Sequence, residues 1–261
     1  MLTRFVYNGL LAALVAIAAP VIKEDPALKA GDETINGTFY AGAVHSGKHL
    51  REVSADIVLP KCSVGLPYSQ YDTYESDGWV GIGGYSAGGL IQTGVSCYVQ
   101  QGKDPYYKMW TEFYPALETF YEDENLRAGD VISARVVAHS ESSGTTYLHN
   151  KRTGKKFSKT YTNETSELNF EDVEWVTESR LFTNQLGPQG SPDAKFTPWE
   201  FRNAAYAHKG GKKQKFRLVT GSHMLDTVLN NATIAKGILI SPGHIQVNDT
   251  TPTNFTVPGF P

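Results

Sequence analysis

Cysteine is nearly absent from this 261-residue chain, which has only Cys62 and Cys97, and methionine is scarce at three residues. Two cysteines rule out a disulfide-dense miniature scaffold and a cysteine-rich zinc centre. An excess of charge of one sign is missing too. The 24 Lys and Arg against 27 Asp and Glu leave a net charge of −3, without the basic footprint that nucleic acid requires. After the N-terminus no apolar run approaches the roughly 20 residues of a membrane span. H-E-x-x-H does not occur. His45 and His49 are spaced H-x3-H but lack the intervening glutamate and helix of that zinc motif, and His139, His149, His208, His223 and His244 are scattered. No metal and no cofactor is expected. D-T-G and D-S-G are absent as well, which removes the aspartic-protease reading, since that dyad needs two aspartates sharing a proton. Helical periodicity is scarce: PALETFYEDENLRAGD at 115–130 is short, acidic and closed by glycine, and reads as a loose turn or loop.

What is present points to strands. The chain carries 25 glycines, 13 prolines and 14 tyrosines, a profile of turns and half-buried pleated surface. In GDVISARVVAH, Ile132, Ala134, Val136 and Ala138 form a fully apolar face opposite a mixed one of Val131, Ser133, Arg135 and Val137. TTYLHNKRTGKKFSKTYTNE reads as a hairpin turning at Asn150–Gly154. Further strands are expected at 51–59, 77–83, 89–99, 106–114, 172–178, 214–220 and 236–247. Strands without interleaved helices argue for an all-β fold, an antiparallel two-sheet β-sandwich of the concanavalin-like jelly-roll kind.

MLTR followed by mostly apolar Phe5–Ala18 and the A-x-A triplet Ala16-Ile17-Ala18 reads as a signal peptide over residues 1–18. Residues 19–35 read as a short pro-segment or arm, and 36–261 as one domain. The mature protein is expected to be secreted, extracellular and monomeric. Five N-x-T sequons, at Asn36, Asn163, Asn231, Asn248 and Asn254, agree with export and glycosylation. In an oxidising compartment Cys62 and Cys97 most simply form one disulfide; the alternative is two separate buried thiols.

The stretch WVGIGGYSAGGLIQTGVSC holds two candidate sites. Gly84-Tyr85-Ser86-Ala87-Gly88 matches the G-x-S-x-G nucleophile elbow of a serine esterase, which requires a strand turning sharply into a helix. Two more glycines and strand-like residues follow Ser86 instead, so a glycine-rich connection between strands fits better. Gln92 cannot ionise, yet its amide can donate to a developing oxyanion. Glu174 sits similarly in Asp172-Val173-Glu174-Trp175-Val176. Taken singly, each is a polar side chain on a solvated sheet face.

Taken with their neighbours, these residues resemble the glutamic peptidases (eqolisins). Phe39-Tyr40-Ala41-Gly42-Ala43 is similar to the family's N-W-x-G-A, Gly78–Gly84 to W-V-G-I-D-G, and Leu90–Val95 to I-L-Q-T-G-V. Trp110–Pro115 is similar to W-Y-E-W-Y-P, Asn150–Gly154 to the N-L-T-T-G turn, and Val173–Val176 to A-E-W-I. Gly83 stands where the family usually has aspartate. The resemblance implies a pepstatin-insensitive acid endopeptidase acting on protein or peptide substrates. Gln92 and Glu174 would be its catalytic pair: Glu174 activates water and then protonates the leaving amine, while Gln92 stabilises the oxyanion. Tyr40, Trp79, Trp110 and Tyr114 would line the cleft, with Glu112 orienting the pair. A lectin-like sandwich that binds glycans on the same aromatics is the non-enzymatic alternative.

Overall fold

The computed structural model describes residues 34–37, 39–65, 73–86, 88–123, 125–179 and 192–255. The expected signal peptide and residues 19–33 of the arm lie outside them. The described residues form strands and turns, with no helix among them. In chain order the strands are β1 (Thr34–Gly37), β2 (Tyr40–Ser46), β3 (Leu50–Val58), β4 (Cys62–Ser63), β5 (Tyr74–Ile82) and β6 (Leu90–Val99). Then come β7 (Tyr106–Tyr114), β8 (Thr119–Tyr121), β9 (Val131–Ser140), β10 (Ser143–Asn150), β11 (Lys156–Tyr161) and β12 (Asp172–Glu178). The last are β13 (Lys195–Phe196), β14 (Trp199–His208), β15 (Gln214–Lys215), β16 (Ser222–Leu229), β17 (Ala232–Ser241) and β18 (His244–Asp249).

Hydrogen bonding runs continuously through one sheet of sixteen strands, in the order β11-β10-β9-β3-β14-β18-β17-β16-β2-β12-β5-β6-β7-β8, with β1 beside β16 and β15 beside β14. Among the described strands β1 alone forms a parallel ladder with its neighbour; β4 and β13 make a separate two-stranded pair. The all-β, antiparallel character is therefore as expected. The hydrogen-bonded path does not divide into two sheets, because β16, β17 and β18 carry it from one layer to the other. The sheet folds over so that β3 and β9 lie against β5 and β6, and β10 against β6.

The main core fills the space between these layers. Ile132, Ala134, Val136 and Ala138 of β9 are buried in it, while the alternate residues of that strand are half-buried. Trp175 of β12 is fully buried, packs on Phe216 and Tyr206, and donates its indole N–H to the Ser54 carbonyl at 3.0 Å. The Cys62 and Cys97 sulfurs are bonded, tying β4 to β6. Several boundaries differ from the sequence expectation. The first described strand, β1, starts at Thr34, and 115–130 contains the short strand β8. The single strand expected at 236–247 is the hairpin β17–β18, turned at Pro242-Gly243, and 214–220 contributes only the two residues of β15.

One buried base sits at the end of this core. His45 stacks on Tyr206 with ring centroids 4.1 Å apart, shares a 2.8 Å hydrogen bond with Ser222 Oγ, and has His208 edge-on at 6.5 Å. Burial, with smaller contributions from His208 and His223, brings the His45 imidazole down from 6.5 to about 4. An unfolded chain takes up this proton first as pH falls. The stability His45 confers is thus complete above pH 6.5 and is lost as pH falls towards 4. The full loss is about 3 kcal/mol. His45→Asn, which cannot take up the proton, should narrow the gap between the urea midpoints at pH 4 and pH 7.

Candidate active site

Antiparallel register places one transverse row of residues on the face of the sheet turned away from the main core. Glu174 on β12 pairs with Gly81 on β5, Gly81 with Gln92 on β6, and Gln92 with Glu112 on β7. On the other side Glu174 pairs with Val44 on β2, and Val44 with His223 on β16. Paired residues share a face, so Glu174 and Gln92 are brought together across one intervening glycine. The flanking row on one side is Val176, Trp79, Gly94 and Trp110; on the other, Leu90 pairs with Tyr114. Val44, Trp79, Leu90, Trp110, Val176 and Leu225 form a second apolar cluster here, with Tyr40, Tyr85 and Tyr114 packed against it. Tyr40 meets Trp79 edge-to-face at 5.3 Å. All seven residues named from the resemblance, Tyr40, Trp79, Gln92, Trp110, Glu112, Tyr114 and Glu174, therefore sit on this face.

The row is dry. Glu174 is 0% exposed, Gln92 6% and Glu112 9%. The Gln92 amide donates from Nε2 to Glu112 Oε2 at 2.5 Å, which orients it. Both Glu174 carboxyl oxygens, Gln92 Oε1 and the Trp79 indole nitrogen are buried with no hydrogen-bond partner among the described residues. Buried polar atoms in native proteins nearly always have partners, so these are the groups the face offers to something that enters it. Burial pushes the Glu174 carboxyl well above the usual range, and the nearby Asp172 adds to the rise by repelling a charge on Glu174. Burial likewise raises the Tyr40 phenol, helped by Glu178, Glu174, Asp77 and Glu112.

Gly81 was not singled out by sequence, and it is the residue that lets the pair approach. A Cβ there would lie 3.2 Å from Glu174 Oε2, 2.8 Å from Trp79 and 2.9 Å from Leu90 Cδ1. Gly81→Ala would push on the buried Trp79 ring and Leu90 as well as on the Glu174 carboxyl, and should displace that carboxyl. A loss of about 10²-fold in kcat/KM is expected, the usual effect of misplacing a reacting group by about 1 Å, with an unchanged circular dichroism spectrum as the check on folding.

Ser86 is no nucleophile in this arrangement. Its hydroxyl donates to Asp172 Oδ2 and accepts from Asn169 Nδ2 at 3.1 Å, and the chain beyond it runs into strand β6 rather than the helix a nucleophile elbow requires. Gly83, the position of the family's aspartate, has φ of 84°, and a Cβ there would lie 2.2 Å from the Gly89 carbonyl oxygen. A carboxylate does not fit on that side, and the one present comes from Asp172 on the neighbouring strand. Among the described residues no group of three His, Cys, Asp or Glu side chains is arranged to hold a metal ion.

Glu174 and Gln92 thus stand side by side on a buried, aromatic-walled face of an all-β fold. The chain belongs to the peptidase A4 family, whose family model matches residues 38–248. It is 28% identical over 218 residues to scytalidopepsin B of Scytalidium lignicola, covering 76% of this chain and 78% of the relative. It is 27% identical over 215 residues to aspergillopepsin-2 of Aspergillus niger, covering 66% and 76%. The crystal structure of scytalido-glutamic peptidase with a transition-state analogue inhibitor superposes with a TM-score of 0.67 at 25% identity, covering 82% of this chain and all of that one.

Proposed function

We propose that the chain is a secreted acid endopeptidase that hydrolyses peptide bonds with Glu174 and Gln92. The observation that carries this reading is the buried row itself: a fully buried carboxyl, one residue across from an amide fixed by Glu112. A carboxyl with a raised pKa is protonated in the acid range, and a protonated carboxyl can give a proton from one oxygen while taking one on the other. As water attacks the scissile carbonyl, its proton passes to one Glu174 oxygen and the carboxyl's own proton passes to the carbonyl oxygen. Gln92 has a second N–H, and this supports the charge that develops on that oxygen. In the second step Glu174 protonates the amide nitrogen and takes back a hydroxyl proton as the C–N bond breaks. The carboxyl ends as it began, which accounts for an acid optimum: activity is lost as pH rises through the raised Glu174 value.

Secretion rests on the N-terminal pattern, and glycosylation on the sequons. Asn36, Asn163, Asn231 and Asn254 are exposed, whereas Asn248 accepts a 2.7 Å hydrogen bond from Gln246 Nε2. The dyad and its walls come from one chain, in keeping with a monomer. The test is digestion of a denatured protein at acid pH with pepstatin present, read by mass spectrometry. Internal cleavage that continues under pepstatin and under a fluorophosphonate is expected. Glycan-array binding without any cleavage would replace this reading with the lectin-like one.

A further inference from the structure

Asp172 is fully buried two residues before Glu174, on the same face of β12, and its carboxylate is spent on the turn that follows β5. Oδ1 accepts the Tyr85 N–H at 3.3 Å, and Oδ2 accepts the Ser86 N–H at 3.1 Å and the Ser86 hydroxyl. The Asp172 carbonyl also accepts the Gly83 N–H at 3.1 Å. Asn169 Nδ2 holds the Ser86 hydroxyl oxygen from the other side. Within this turn Tyr85 packs on the apolar cluster, which includes Leu90 and Trp79, that walls the Glu174–Gln92 row. The short chemistry-like motif around Ser86 thus has a structural occupation: its hydroxyl and two backbone amides converge on one carboxylate.

We propose that Asp172 is a positioning residue for the peptidase reaction, fastening the Gly83–Ser86 turn so that Tyr85 forms part of the substrate-binding wall. Ser86 is the other half of this fastening. A substrate side chain next to the scissile bond on the Leu90 and Tyr114 side would then pack against Tyr85, which calls for a large apolar residue there. Loosening the turn should weaken substrate binding more than the chemical step. Asp172 also has an electrostatic consequence. The other titratable groups on this face include Glu112 and Tyr114 on β7, Tyr40 on β2, His223 on β16, Tyr85 in the turn, and Asp77, Glu178 and Lys108 further along the strands. Asp172 is the one that adds most to the effect of burial on Glu174. Neutralising it should shift the pH limb at which Glu174 loses its proton towards lower pH.

This inference rests on the proposed peptidase activity for its kinetic arm only. The experiment uses the full-length mature protein as parent, Asp172→Asn, Ser86→Ala and Ser86→Thr. The first readout is amide hydrogen exchange at Tyr85 and Ser86. Exchange should rise about tenfold in Asp172→Asn, whose amide keeps one acceptor oxygen where the carboxylate had two, and several-fold in Ser86→Ala, which loses the hydroxyl bonds to Asp172 and Asn169, and should return to the parent rate in Ser86→Thr. The second readout is kinetic: KM for a peptide with a large apolar residue should rise about tenfold in Asp172→Asn, kcat should fall less, and the basic limb should move to lower pH. Parent-like exchange in Ser86→Ala overturns the proposal even if Asp172→Asn does not fold. Parent-like KM and pH limb in a folded Asp172→Asn overturn it as well. If the parent cleaves nothing, the peptidase reading fails, and the exchange arm still decides whether Asp172 fastens the turn.

Discussion

Glu174→Gln should lose about 10²–10⁴-fold in kcat/KM, the range for removing a positioned proton donor and acceptor, while becoming more stable at neutral pH. The two effects have one cause. Glu174 is fully buried, and its carboxyl is held well above the usual range first by burial and then by Asp172. Below the ordinary glutamate value both folded and unfolded chains carry the proton, and the substitution is neutral by this route. As pH rises, the unfolded chain releases the proton while the folded chain retains it, so the parent loses stability that the glutamine variant keeps. Thermal melts at pH 7 should therefore place Glu174→Gln above the parent. Each 1 kcal/mol gained corresponds to about 2–4 °C in a domain of this size. Melts near pH 3.5 should coincide. A variant that lost activity together with stability at every pH would point to misfolding rather than to lost chemistry.

Gln92→Ala should cost about 10²–10³-fold in kcat, the loss typical of one oxyanion donor. Its signature differs from that of Glu174→Gln. Glu174 keeps its burial and its Asp172 neighbour, so the residual activity should fall away at the same pH as in the parent. The substitution also takes from Glu112 the 2.5 Å hydrogen bond donated by Gln92, and leaving a buried acceptor short of a donor costs about 1–3 kcal/mol. Stability should drop accordingly in a urea titration. Gln92→Ala within about threefold of the parent in kcat would remove the amide from the reaction.

These opposing pH effects have a common physical basis in burial of single ionisable groups. Glu174 weakens the fold towards neutral pH, and His45, brought down to about 4, weakens it towards acid pH.

The two-residue period of β9 was legible because its faces differ sharply: Ile132, Ala134, Val136 and Ala138 are buried, and their neighbours less so. In β12 both faces are buried, so alternation alone gave no reason to take Glu174 as anything but a solvated polar residue. Only the aromatic cluster on the far side of the sheet closes it off, and that depends on strands distant in sequence. β14 went unread because its alternation breaks at Asn203, which has φ of 55° and sits within a register shift between Arg202 and Ala205. The hairpin β17–β18 carried a turn signal in Pro242-Gly243 that a continuous apolar run obscured. For the site, the residue types in the resembling segments were legible, but the register across β12, β5 and β6 was not. Register is what puts Gly81 between Glu174 and Gln92 and lets the Gly83 N–H reach the Asp172 carbonyl.

The most direct measurement is a side-by-side digestion of one denatured protein by the parent and by folded Glu174→Gln, at acid pH with pepstatin present, counting new N-termini over time. The account expects steady internal cleavage by the parent and a rate lower by about 10²-fold or more in the variant. Equal cleavage by the two would contradict it.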